Sequence, residues 1–104
     1  MASEVVKGHV DTLVLSVLDR GPAHGYALVE ELRTRSEGTF DLAEGTVYPS
    51  LYRLERGGLV ASGWESVSGR KRRVYRLTRR GQAALVERRE AWRRFANAME
   101  AVLA

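Results

Sequence analysis

The chain has no cysteine and only two histidines, His9 and His24, in 104 residues. Without cysteine there can be no disulfides, thiolate metal sites or thiol nucleophiles. Neither histidine has a ligand pattern around it, so no metal and no cofactor are expected. There is also no glycine-rich phosphate loop, no histidine paired with a nucleophile and no acid pair placed for proton transfer. An enzyme is therefore not expected. No apolar run of 18 residues exists to cross a bilayer. The N-terminal "MASEVVKGHVDTLVLSVLDRG" is apolar only in a stretch broken by Asp11 and bounded by acids, unlike a secretory signal, so a cytoplasmic location is expected. Proline is scarce as well: Pro22 and Pro49 are the only two.

At this length, with 44% hydrophobic residues, the chain can bury one modest core. Its net charge of +4 is unevenly spread. Residues 1–69 hold six Lys and Arg against ten Asp and Glu, whereas residues 70–94 hold eleven against two. A basic block in an otherwise acidic chain points either to a polyanionic partner or to a solvated helix face.

From His9 to Leu18, the apolar positions Val10, Leu13, Val14, Val17 and Leu18 have the spacing of a half-buried helix. Gly21 and Pro22 stop it. A second helix is predicted from His24 to Arg35, with Tyr26, Leu28, Val29 and Leu32 inward and His24 starting or capping it. After "SEG" and an extended "TFDL", a third begins near Ala43 or Glu44. On a helical wheel its Val47, Leu51 and Leu54 lie within about 60° of one another, while Gly45, Pro49, Tyr52, Arg53 and Arg56 take the far side. Pro49 is near enough to the start to cost about one backbone hydrogen bond and to bend the helix slightly. "RGGL" ends it with glycines suited to a left-handed cap.

Two strands follow, "LVASGWE" and "RRVYRLT", joined as a hairpin through "SVSGRK". Alternation puts Tyr75 and Leu77 on one face and Val74 and Arg76 on the other. Arg70 to Arg73 are expected at or beside the tip, extended into solvent. Thr78 then caps a helix running to about Leu103, roughly 39 Å at 1.5 Å per residue. That is longer than so small a domain can cover. Leu85, Trp92 and Met99 repeat every seven residues, and Arg88, Phe95 and Val102 form a companion row. Such a seam asks for another subunit.

The predicted class is therefore mainly α with a small β-hairpin: a winged helix-turn-helix over residues 1–77 and a dimerisation helix over 78–104. In that element order the third helix enters the major groove and the hairpin reaches the adjacent backbone. Thr46, Tyr48, Pro49, Tyr52, Arg53 and Arg56 would face DNA from the helix, and Arg70, Lys71, Arg72 and Arg73 from the wing. Arginines there can take phosphates or guanine edges, and tyrosine hydroxyls can take phosphates. Tyr48, at the flank of the wheel, suits either a phosphate contact or the core. The rival to a DNA-binding regulator is a winged-helix protein-interaction module.

"HGYALVEEL", "GTVYPSLYRLERGGLV" and "GRKRRVYRLTRRGQAAL", in that order and spacing, resemble the PadR family of bacterial transcriptional regulators. The resemblance runs from about Thr12 to Leu85, and the length fits the branch with a single C-terminal helix. It implies a homodimeric winged-helix protein that binds double-stranded DNA, usually as a repressor. The third helix departs from the family, with Ala43 and Glu44 where Ser or Pro is common. In relatives that sense planar drugs, a tryptophan on the last helix stacks on the ligand. By that resemblance Trp92, with Arg88 beside it, is either a contact for a planar aromatic or phenolic effector or simply dimer core.

Overall fold

The computed structural model describes residue 6 and residues 8–104. The first residues of the stretch judged unlike a secretory signal, 1–5 and 7, lie outside the described residues. The described elements are helix α1 (Val10–Leu18), strand β1 (Ala23–His24), helix α2 (Gly25–Arg35), helix α3 (Glu44–Arg56), strands β2 (Val60–Val67) and β3 (Arg70–Leu77), and helix α4 (Arg79–Leu103). Among them the winged-helix order holds, with one addition. The sheet has three strands in the order β1-β3-β2, all antiparallel, because Ala23 and His24 pair with Tyr75 and Val74.

Helix α1 sits at the centre, with α2, α3 and α4 all packed on it. It is consequently buried on more than one stripe: Leu15 is fully buried with Val10, Val14, Val17 and Leu18, and Leu13 is half-buried. Helix α2 contributes Leu28 and Leu32 to the core. Tyr26, expected inside, is 54% exposed. At 100° per residue it lies some 200° round the helix from Leu28, so it cannot share that face.

Helix α3 buries Val47, Leu51 and Leu54 as its wheel requires, and Ser50 with them. It starts from Ala43 with no side-chain cap, and Pro49 lies exposed in its second turn. Its end is a Schellman closure: the Gly58 N–H donates to Glu55 and the Leu59 N–H to Leu54, at 3.1 and 2.9 Å. That geometry needs Gly58 in the left-handed region, at φ 78°.

The hairpin is longer than its sequence suggested. Strands β2 and β3 pair in register from Val60↔Leu77 to Val67↔Arg70, leaving Ser68 and Gly69 as a two-residue turn. Both have positive φ, 53° and 78°, the twist that suits a tight hairpin. Tyr75 joins the core, yet Val74 on the opposite face is buried too. The central strand is covered on both sides there.

Helix α4 begins at Thr78, whose hydroxyl oxygen accepts the Gly81 N–H at 3.0 Å while its O–H donates to the Gly58 carbonyl at 2.7 Å. A methyl group on Gly81 would overlap the Leu59 carbonyl, so the start of α4 lies directly on the α3–β2 corner. Leu85 is in the core of its own chain. Its assignment to a dimer seam is therefore corrected: it has no surface left for a partner. Beyond it the helix leaves the core, giving a longest dimension of 52 Å.

Candidate nucleic-acid interface

Two sequence motifs lock the helix-turn-helix together. His24 caps α2, its Nδ1 accepting the Ala27 N–H at 3.3 Å. At Gly25 the backbone lies so close to the Tyr48 ring that any added Cβ would overlap the phenol. The Gly25 contact is a reason for "HGY" and "VYP" to occur together: the first supplies a bare backbone, the second the ring that covers it. Tyr48 is nevertheless exposed on its other side, so it is both a packing residue and a surface one.

The outer face of α3 carries exposed Pro49, Tyr52, Arg53 and Arg56, with Thr46 half-buried in its first turn. Tyr52 is 62% exposed. The Arg56 guanidinium lies 5.6 Å from the Tyr52 ring centroid, a cation–π pair that presents charge and hydroxyl together. Arg53 is held differently. Its Nη2 donates to Asp11 Oδ1 of α1 at 2.8 Å, and Ser50 Oγ donates to the same oxygen at 2.6 Å. Burial pushes the Asp11 carboxyl up. Hydrogen bonds from Arg53 and Ser50, with the charges of Arg53 and Arg88, outweigh this and hold it below the usual carboxylate range. The same bond and charge raise Arg53. A pair this open to water contributes little to stability, on the order of 0–1 kcal/mol, so its effect is mainly on direction.

On the wing, the four consecutive cations do not act as one cluster. Strand alternation sends Lys71 and Arg73 to the face shared with Tyr75, and Arg70 and Arg72 to the other. Arg73 is also partnered within the chain. Its Nε donates to Ser62 Oγ at 3.0 Å, and its Nη2 lies 3.7 Å from Glu55 of α3. Arg76 pairs with Glu65 at 3.1 Å. Of the four residues expected at or beside the tip and extended into solvent, Arg70, Lys71 and Arg73 are exposed, whereas Arg72 is half-buried. Trp64 was not foreseen as a surface residue. It is 65% exposed, opposite Arg73 in register, with that guanidinium 5.6 Å from its ring. Placing the turn at Ser68–Gly69 would have aligned the two.

A second surface lies between α1 and α4. An open trough of about 650 Å³ runs past His9, Leu13, Phe40, Arg88, Trp92 and Phe95. Trp92 meets His9 edge-on at 5.2 Å and tilts against Phe95 at 5.8 Å. Arg88 reaches Thr12 Oγ1 at 3.5 Å. Along the free part of α4, Trp92, Phe95, Met99 and Val102 are exposed as a continuous apolar stripe.

Residues 14–87 match the family described as the transcriptional regulator PadR-like family. Transcriptional regulator Rv3488 of Mycobacterium tuberculosis is 48% identical over 68 residues, 65% of this chain and 61% of that one. A solved PadR family transcriptional regulator from Eggerthella lenta is 36% identical and superposes with a TM-score of 0.83, over 96% of this chain and 86% of that one. A solved transcriptional regulator from Clostridium thermocellum gives 0.86 at 28% identity, over 94% and 96%.

Proposed function

Because this chain belongs to the PadR-like family of transcriptional regulators, we propose that it binds duplex DNA sequence-specifically, as a homodimer, and acts as a repressor. The single observation that carries the DNA-reading part is the orientation of α3. Its Val47, Leu51 and Leu54 are sealed in the core, so Tyr52, Arg53 and Arg56 face out beside a cationic wing. In this reading Thr46, Tyr48, Pro49, Tyr52, Arg53 and Arg56 enter the major groove, and Arg70, Lys71, Arg72 and Arg73 flank it. With Arg73 engaged by Glu55 and Ser62, Arg70 and Lys71 are the wing cations best placed for phosphates.

Residues 1–77 read DNA, and the part of 78–104 beyond Leu85 joins two copies through Arg88, Trp92, Phe95, Met99 and Val102. The support for pairing is the apolar stripe, which the chain's own core does not cover. Repression follows from occupancy, since a dimer seated on a promoter excludes other proteins. A planar aromatic or phenolic effector would enter the trough beside Trp92, with Arg88 at its edge, and shift the angle between the two wings. No described helix is long and apolar enough to cross a membrane, and action on chromosomal DNA places the protein in the cytoplasm.

Selection of bound fragments from a random duplex pool tests this reading. One consensus should emerge, and its affinity should fall with salt at a log–log slope of about −0.9 per phosphate neutralised. Arg53→Ala should then cost about 1–3 kcal/mol on that consensus. A pool with no enriched sequence, or binding as indifferent to salt as a neutral control protein's, would support the protein-interaction module instead.

A further inference from the structure

Arg53 and Arg56 share one face of α3 but are anchored differently. Arg56 rests on the ring of Tyr52, on its own helix. Arg53 is tied across the fold to α1, 42 residues away in sequence, through Asp11. Nor is Asp11 a loose surface acid: it is partly buried, and the oxygen that receives Arg53 also receives Ser50, a hydroxyl with no exposed surface. Ser50 thus fixes the carboxylate, and the carboxylate fixes the guanidinium, while most of the Arg53 side chain remains open to solvent.

We infer that Asp11 is a positioning residue for DNA reading, setting Arg53 as a pre-aimed planar donor for a guanine edge. The inference rests on the DNA-binding reading above and adds to it which arginine reads a base and what aims it. A guanidinium is a rigid fork, so holding one terminal nitrogen narrows the orientations open to it, and the N–H groups left over can meet O6 and N7 of guanine side by side. A phosphate makes no such demand, since its oxygens accept from many directions. It also gains less from an arginine whose charge a carboxylate already balances. Arg56, with no acid on it among the described contacts, suits the phosphate role, and the division of labour follows from the partner each arginine has.

The test uses the full-length protein and the duplex enriched from a random pool by the parent chain. Each G·C pair of that duplex is replaced in turn by A·T, and binding is measured by fluorescence anisotropy for parent, Asp11→Asn and Arg53→Lys. The parent should discriminate by about tenfold or more at one G·C pair. Both variants should lose discrimination at that same pair, and Asp11→Asn should bind a scrambled duplex as well as the parent does, or better. Far-UV circular dichroism establishes that each is folded. Should Asp11→Asn fail that check, Arg53→Lys, a change at the surface, must still show the loss. Discrimination kept by either folded variant overturns the inference while leaving the DNA-binding reading intact. So does equal weakening on every duplex, which would mean that Asp11 only supports the fold. A pool from which no duplex is enriched removes the reading and this inference together.

Discussion

Replacing Gly81 by alanine sets two known effects of opposite sign against each other. Alanine is the better helix former, by about 1 kcal/mol in a helix interior. At this position, however, its methyl group would overlap the Leu59 carbonyl oxygen, and the Leu77 side chain crowds the same space. A backbone carbonyl cannot rotate aside, so α4 must lift from the α3–β2 corner. Overpacking of this kind costs about 1–3 kcal/mol. The lift also stretches three hydrogen bonds around Thr78: its N–H to Leu59, its hydroxyl to Gly58, and the Gly81 N–H to its oxygen. Each contributes about 1 kcal/mol when well made. With about 2 kcal/mol for overpacking, about 1 kcal/mol lost in all from bonds that are stretched rather than broken, and the propensity gain subtracted, the expected loss is about 2 kcal/mol. In urea, with a slope of about 1 kcal/mol per molar for a chain this small, the midpoint should fall by about 2 M. The comparison needs equal chain concentration, because the apparent stability of a chain that pairs, as proposed for this one, depends on it. Gly45→Ala is the control: nothing lies within 4 Å of its added methyl, so it should be neutral or slightly stabilising. A Gly81→Ala midpoint at or above the parent's would refute the close-approach argument, leaving propensity as the only term.

Trp92→Asp should give a folded protein whose light-scattering mass equals one chain, because the seam would have to bury an unpaired charge. A mass of two chains would place the dimer contact elsewhere, whereas Leu85→Asp is expected to abolish folding itself. In a Trp64→Phe background, a planar phenolic ligand entering the trough should quench or shift the Trp92 emission. A panel of such compounds without effect would leave Trp92 its packing role alone.

What the sequence revealed and what it hid divide along physical lines. Periodicity finds an element when one face is buried and the other is wet. Helix α3, with Val47, Leu51 and Leu54 behind and Tyr52 and Arg53 in front, was legible for that reason, and so was the cap at Thr78. It fails where an element is covered from several sides. Leu15 in α1 is buried off the expected stripe, and Val74 in β3 is buried on the face opposite Tyr75, because neighbouring elements surround them. Tyr26 was misassigned for a different reason: a wheel angle was available and contradicted the placement. Leu85 shows the limit of a heptad pattern, which marks a helix's apolar face without saying whose core fills it. Here the chain's own core takes the first residue and leaves the later ones bare.

The candidate site depends most on what a linear pattern cannot contain. A run of four cations looks like one charge cluster in sequence, but a strand parts it between two faces, and each face then has its own acids within reach: Glu55 for Arg73 on one side, Glu65 for Arg76 on the other. Asp11 and Arg53 are separated by 42 residues and meet only because α1 packs across α3. On the proposed reading the basic run marks where an interface would lie, and the scattered acids would decide which of its cations are free to make contact and which are already aimed. On that reading a charge count would measure attraction to DNA in general, while discrimination between sequences would depend on the few ion pairs that fix direction.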